Sequence, residues 1–202
     1  YWENVPSDQL ELALWLESMG AQVTGFGLTP DTTPSLFQVL TPGAQGKSHI
    51  ADIRDARAVQ MVVDTARPQV VLHLAAQALV RRAYRDPIDT WSTNVMGTVH
   101  LCEALRRVDD LQSVVVVTSD KTYLNSEHGR PFDEDAPLGG HDPYSASKAA
   151  EEMVAMAWSR SFLRERGVAL ATARAGNLLG GGDWAEDRLV PDLWRALQAG
   201  DE

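Results

Sequence analysis

Two short segments hold residues able to move a proton and a hydride together. Thr118-Ser119-Asp120-Lys121 closes the apolar run Val114 to Val117, and Tyr144-Ser145-Ala146-Ser147-Lys148 follows Asp142-Pro143. Asp142 suits a helix N-cap and Pro143 the first helical turn. Tyr144 and Lys148, four apart, then share one helix face. An ammonium beside a phenol favours loss of the phenolic proton, which makes Tyr144 a candidate general base or acid. Such a pair suits chemistry in which a sugar or alcohol hydroxyl loses its proton while hydride leaves the same carbon.

The elements that must position these residues alternate between strand and helix. Hydrophobic periodicity predicts a helix from Leu10 to Met19 ending at Gly20, a strand from Ala21 to Leu28, and a Pro/Thr-rich loop from Thr29 to Ser35. A short strand His49 to Ile53, a helix Asp55 to Ala66 and the strand Gln69 to Ala75 follow. Then come a long helix Asp89 to Val108, the strand Ser113 to Thr118, a helix Pro143 to Arg166, the strand Val168 to Arg174 and a closing helix Val190 to Ala199. Apolar strands without strict alternation, separated by helices, predict a parallel sheet covered on both faces. The expected fold class is α/β, a doubly wound parallel sheet of the nucleotide-binding, Rossmann-like kind.

The 202 residues, 44% hydrophobic and 23% charged, suit one domain with a real core. The net charge of −10 comes with no basic stripe for nucleic acid. The single cysteine, Cys102, falls in a helical apolar pattern and reads as a buried inert thiol. It rules out an intrachain disulfide framework, and no metal site is expected. Neither a signal peptide nor a long apolar span is visible, so the expected compartment is the cytoplasm, with no membrane or nucleic-acid partner.

Taken together, the residues resemble the extended short-chain dehydrogenase/reductase family of NAD-dependent epimerases and dehydratases. The resemblance rests on an ordered series over most of the chain: Asp52-Ile53, His73-Leu74-Ala75-Ala76-Gln77, Asn94-Val95-Met96-Gly97-Thr98, and the Tyr144/Lys148 pair. Within that family, His73 to Val80, Thr118 to Tyr123, Gly139 to Lys148 and Ala173 to Asp192 are similar to CDP-glucose 4,6-dehydratases. Asp120-Lys121 stands where dTDP-glucose dehydratases have Asp-Glu.

The resemblance implies an internal redox cycle on a nucleotide-sugar with NAD as cofactor. Tyr144 would take the 4-hydroxyl proton, Lys148 would hold the nicotinamide ribose, and Ser119 would hydrogen bond the reacting hydroxyl. Asp120 would be the acid toward the departing 6-hydroxyl and Lys121 would serve at C5. Asp52, Ile53, Leu74, Ala75 and Ala76, with Tyr144 and Lys148, would bind cofactor. Gln77, Asn177 and Arg188 would bind substrate. The two long helices would pair two copies into a homodimer.

Other residues read more plainly. His73 inside an apolar strand suits a hydrogen-bonded core position, and Asn94 suits main-chain support of the sheet. Arg81 and Arg82 fit either a diphosphate or solvent. Gly180-Gly181-Gly182 is a turn rather than a phosphate cradle without a helix N-terminus behind it.

One part of the pattern is missing or degraded. The first strand reduces to Tyr1-Trp2, and the turn expected at about Glu3 to Gln9 has no glycine. Ser7 caps and Asp8 opens a helix well, but a carboxylate there repels a pyrophosphate. Without that central strand, the strands at Ala21 and His49 lose their bridge to the strand at Gln69. The expectation is a chain incomplete at both ends, a single partial domain over 1–202 whose substrate lobe is largely absent. The competing readings are a catalytically incompetent binding or dimerisation fragment, favoured by the absent turn, and an epimerase, disfavoured by Asp120-Lys121.

Overall fold

The computed structural model describes residues 7–30, 35–37, 48–125, 127, 129–177 and 182–200. In chain order the elements are α1 (Ser7–Ser18), β1 (Gly25–Gly27), β2 (Ser48–Ile50), α2 (Ala56–Ala66), β3 (Val70–His73), α3 (Val80–Arg85), α4 (Pro87–Trp91), α5 (Gly97–Leu105), β4 (Ser113–Val117), α6 (Pro143–Trp158), β5 (Ala169–Ala173) and α7 (Leu189–Ala199). They group into two compact units, one spanning 1–51 and 177–202, the other Asp52–Gly176.

In the first unit β1 and β2 pair in parallel, with Phe26 opposite His49. Both strands are shorter than their apolar stretches predicted. The ladder gains one further bond, from Ala51 N–H to the Gly27 carbonyl at 2.9 Å. The expected first strand and most of its turn, Tyr1 to Pro6, lie outside the described residues, as do Gly180 and Gly181.

The second unit carries a three-stranded parallel sheet in the order β3-β4-β5. His73 stands opposite Val116, and Val117 opposite Ala173. Parallel strands with helical crossovers are what the alternating pattern predicted, and the fold is α/β. Val114 and Val116 are buried while the intervening valines are half-buried, so one face of β4 is closed more tightly. Leu105, Cys102 and Leu163 are fully enclosed in the same core. Burial of each leucine stabilises the fold by about 2–3 kcal/mol.

The two long helices form, but not as uniform cylinders. Between α4 and α5 the backbone widens into a π-helical turn over Ser92–Met96, and a second such turn, Ser159–Leu163, follows α6. Periodicity alone does not reveal a single inserted residue. At Gly97 an added Cβ would lie 2.7 Å from Ile53 Cγ2, which explains a glycine at the start of α5. The chain after the β2 region packs directly on the helix backbone there.

Candidate active site

All three strands of β3-β4-β5 point their carboxyl ends the same way, so the segments after them leave one edge together. These are Leu74 to Gln77, Thr118 to Lys121, and Arg174 to Gly176. The ladder runs past the formal strand ends: Thr118 N–H donates to the Ala173 carbonyl at 2.8 Å, and Asp120 N–H to the Ala175 carbonyl at 2.9 Å. Asp120–Thr122 then form one tight turn, whose first N–H groups include Lys121 bonded to the Ser119 hydroxyl at 3.2 Å. The carboxyl edge of a parallel sheet is where ligands bind in open α/β folds.

Helix α6 starts as its sequence predicted. Asp142 accepts from the N–H groups of Tyr144 (2.9 Å) and Ser145 (3.0 Å), with Pro143 in the first turn. The loop ahead of it comes so close that a Cβ on Gly140 would sit 2.4 Å from the Ala146 nitrogen and 2.5 Å from the Ser145 carbonyl carbon. Both are backbone atoms that no rotamer can move.

A buried amide sets this helix against the strand end. Asn94, in the π turn, accepts from Gln77 N–H at 2.7 Å and donates to the Gln77 carbonyl at 3.1 Å and the Ser147 hydroxyl at 2.9 Å. Ser147 in turn donates to the Tyr144 carbonyl at 2.7 Å. Asn94 therefore supports main chain, the plainer of the readings its sequence allowed.

Tyr144 is 8% exposed, and α6 and the strand ends beside it carry several charged groups. Lys148 donates to both Glu151 oxygens, at 3.1 and 2.9 Å, and to the Val117 carbonyl at 3.2 Å. Burial pushes the Glu151 carboxyl up to about 7, against the pull of Lys148. Next to it Glu152 accepts from the Thr118 hydroxyl at 2.8 Å and from Arg174 at 2.7 and 2.6 Å. Those bonds to Glu152 hold the Arg174 guanidinium above its ordinary value, and its Cζ lies 4.7 Å from the Tyr123 ring centroid. Nearer the sheet edge Ser119 donates to Asp120 Oδ1 at 3.1 Å, and Lys121 Nζ lies 6.0 Å from the Tyr144 ring centroid.

The structure thus brings Ser119, Asp120, Lys121, Tyr144 and Lys148 to one edge of one sheet. Leu74, Ala75 and Ala76 are half-buried at that same edge, small enough in the alanines to let a flat ligand approach the strand end. Asp52 opens the same unit: burial works upward on its carboxyl, but the N–H groups of Arg54 hold it below the usual carboxylate range. Arg54 also reaches Asp89, which Arg82 meets at 3.4 Å. Ile53 is buried under Gly97.

Gln77 departs from its expected part. It is fully enclosed; its Nε2 donates to the Thr90 hydroxyl (2.8 Å) and the Leu79 carbonyl (3.2 Å), and its Oε1 accepts from Leu79 N–H (2.7 Å). An amide so engaged serves the turn after β3 rather than a substrate. Asn177 and Arg188 belong to the other unit, where Asn177 is exposed and Arg188 Nε faces Asp183 at 3.9 Å.

His73 is buried and bonded to Thr98, as its apolar strand suggested. Thr98 gives its own proton to the Asn94 carbonyl at 2.6 Å, so it accepts from His73 Nε2–H at 2.9 Å. Burial first, and the Lys148 charge second, push His73 down to about 3, leaving the ring neutral. Glu151 and Glu152 were not singled out in the sequence. Their signal was there: at three and four residues past Lys148 they fall on its helix face.

Chemically, a phenol, an ammonium, a hydroxyl and an adjacent carboxylate at a strand edge can exchange protons with a polyol and hold a flat cofactor beside it. Comparison with known proteins bears on this. A family model described as GDP-mannose 4,6 dehydratase matches residues 17–174. The chain is 48% identical over 192 residues to a CDP-glucose 4,6-dehydratase of Salmonella typhimurium, covering 93% of this chain and 54% of that protein. It therefore spans about half the length of the curated relatives it matches. Among solved structures it is similar to a dTDP-glucose 4,6-dehydratase from Streptomyces venezuelae with NAD bound, at TM-score 0.76 and 25% identity, covering 95% of this chain and 58% of that one. A UDP-glucose 4-epimerase from Thermotoga maritima, solved with UDP-glucose, aligns at TM-score 0.77 and 21% identity over 95% of this chain and 60% of that one. That second likeness concerns the fold alone.

Proposed function

The chain belongs to the GDP-mannose 4,6 dehydratase family, and from that premise we propose that it acts in an NAD-dependent nucleotide-sugar 4,6-dehydratase whose substrate is CDP-glucose. The observation that carries the reading is the meeting of Ser119-Asp120-Lys121 with Tyr144 and Lys148 at the carboxyl edge of β3-β4-β5. The 48% identity to a CDP-glucose 4,6-dehydratase supports the choice of nucleotide.

The donor set of the Asp52–Gly176 unit fits the nicotinamide end of NAD: small residues at the β3 end, and a phenol and an ammonium on α6. Bound there, NAD would supply the acceptor for a hydride from C4 of the sugar and the donor of a hydride to C6. Tyr144 receives the proton of the 4-hydroxyl, with Ser119 orienting that oxygen. The ketone at C4 acidifies C5–H, and Lys121, near Tyr144, takes that proton and returns it to C5 when hydride reaches C6. Asp120, bonded to Ser119, gives a proton to the 6-hydroxyl as it leaves as water. Lys148 holds the ribose hydroxyls, and Asp52 with Ile53 takes the adenine end. Asn177 and Arg188 remain the substrate contacts proposed outside this unit.

The proposal includes a homodimer in the cytoplasm. Ile88 and Met96 along α4–α5, and Met153, Met156 and Phe162 on and after α6, expose apolar surface that a second copy would cover. Among the described residues no helix is long and apolar enough to cross a membrane.

The test is to incubate the protein and its Tyr144→Phe variant with NAD and CDP-glucose deuterated at C4. Loss of one water with deuterium recovered at C6, absent in the variant, is the expected result. An isomeric sugar with no water lost supports the epimerase reading, and absence of any NAD or sugar binding supports the incompetent fragment.

A further inference from the structure

An ammonium has three N–H donors and no acceptor. Lys148 directs its donors to the two Glu151 oxygens and the Val117 carbonyl, with side chains 4% and 0% exposed for the lysine and the glutamate. Its donors are thus engaged inside the protein. The function proposed above gives the same ammonium another task, holding ribose hydroxyls. Turning to them loosens its hold on Glu151, whose carboxylate would remain enclosed and beside a second carboxylate, Glu152. A buried carboxylate that loses its counter-charge takes a proton rather than stay ionised.

We propose that Glu151 is a positioning residue for Lys148: it holds the ammonium at the end of β4, and it takes up one proton when that ammonium turns to the ribose of a bound dinucleotide. The second half rests on the NAD reading; the first does not.

The surrounding charges leave Glu151 as the group that responds. On α6 itself the charges acting on it are Lys148 and Glu152. Glu152 is taken by Arg174 from beyond β5 and by Thr118. His73, on β3, is held neutral by burial. Of the other elements packed on α6, α3 and α4 bring Arg82 and Asp89, paired at 3.4 Å. Helix α5 brings His100, whose ring meets the Ile53 carbonyl at 3.1 Å. The turn after β4 brings Asp120, bonded to Ser119, and Lys121, above Tyr144. Burial pushes the Glu151 carboxyl up to about 7, which puts its change of charge near neutral pH.

Carbon-13 labelling of lysine Cε and glutamate Cδ reads both partners without catalysis. The Lys148 signal is assigned by its loss in Lys148→Met and the Glu151 signal by its loss in Glu151→Gln. Between about pH 5 and pH 9 both carbons should show a step with one shared midpoint near neutrality. The Lys148 step should vanish in Glu151→Gln. Unequal midpoints, no step at Glu151, or an unchanged Lys148 step in the variant overturn the proposal; the first two need no stable variant. NAD binding by calorimetry in buffers of unlike ionisation heat should then show uptake of up to one proton in the unaltered chain and none in Glu151→Gln. Equal uptake in both overturns the linkage. A shared titration without any NAD binding supports the first half and overturns the second together with the cofactor reading.

Discussion

Asn94 and Ser147, 53 residues apart in sequence, are joined by a hydrogen bond of 2.9 Å that ties the π turn after α4 to the helix carrying Tyr144. Because Asn94 also accepts from and donates to the Gln77 main chain, one side chain fixes the β3 end and the first turn of α6 against each other. With Asn94 removed, the buried Gln77 N–H and carbonyl lose their partner, while the Ser147 hydroxyl keeps its bond to the Tyr144 carbonyl. Asn94→Ala should lower stability by about 2–6 kcal/mol, from two unmet buried polar groups at roughly 1–3 kcal/mol each. Denaturant unfolding measures this, and a loss below about 1 kcal/mol contradicts the fixing role.

Two glycines predict unlike outcomes on substitution. Gly140→Ala places a methyl against the backbone of Ser145 and Ala146, which can yield only by moving the start of α6. The expected cost is about 1–3 kcal/mol, with Tyr144 displaced. In Gly97→Ala the nearest atom is Ile53 Cγ2, a side-chain methyl rather than backbone, so the cost should be smaller. Equal melting temperatures for the two variants would contradict this ordering.

Arg174 neutralises a carboxylate that is 1% exposed on its side chain. Arg174→Met leaves Glu152 uncompensated, and breaking such a buried pair costs about 3–5 kcal/mol. The double variant Arg174→Met with Glu152→Met removes the stranded charge and should recover much of that loss. A double-mutant cycle in thermal unfolding reads the coupling. Additive losses would mean the pair contributes nothing of its own.

Stability should depend on pH in two opposed ways. His73 has a folded value pushed down to about 3 from 6.5, so the unfolded chain binds more protons between those limits. Its contribution is complete above 6.5 and is lost as pH falls toward 3. Glu151 is raised from 4.5 to about 7 in the folded chain, so its contribution is complete below 4.5 and is lost as pH rises through about 7. Unfolding free energies across this range should lose their acid limb in His73→Asn and their neutral limb in Glu151→Gln. Identical profiles for the three proteins would count against both assignments.

Much of the site was legible in the sequence because its signals are local. Asp142 and Pro143 specify where α6 begins, and a spacing of four puts Tyr144 and Lys148 on one face whatever surrounds them. The valine run specifies β4, and the polar residues after it mark the strand end. Less legible were the strands of the first unit, where β1 and β2 form only three residues each of longer apolar stretches. The π turns leave no trace in the sequence for a related reason, since an inserted residue changes hydrogen bonding without changing composition.

Partners across the fold were beyond reach of sequence spacing. Lys148 pairs with the residue three along rather than the one four along, because Arg174, arriving from the end of β5, takes Glu152. Gln77 reads as a ligand contact by its place after β3, yet the closing of Leu79 and Thr90 around its amide engages it inside the protein. Local sequence specifies which elements form and which residues share a face, since propensity, capping and period act within a few residues. The tertiary structure alone decided which charges neutralise one another and which polar groups are sealed from water, since desolvation and ion pairing depend on elements brought together from distant parts of the chain.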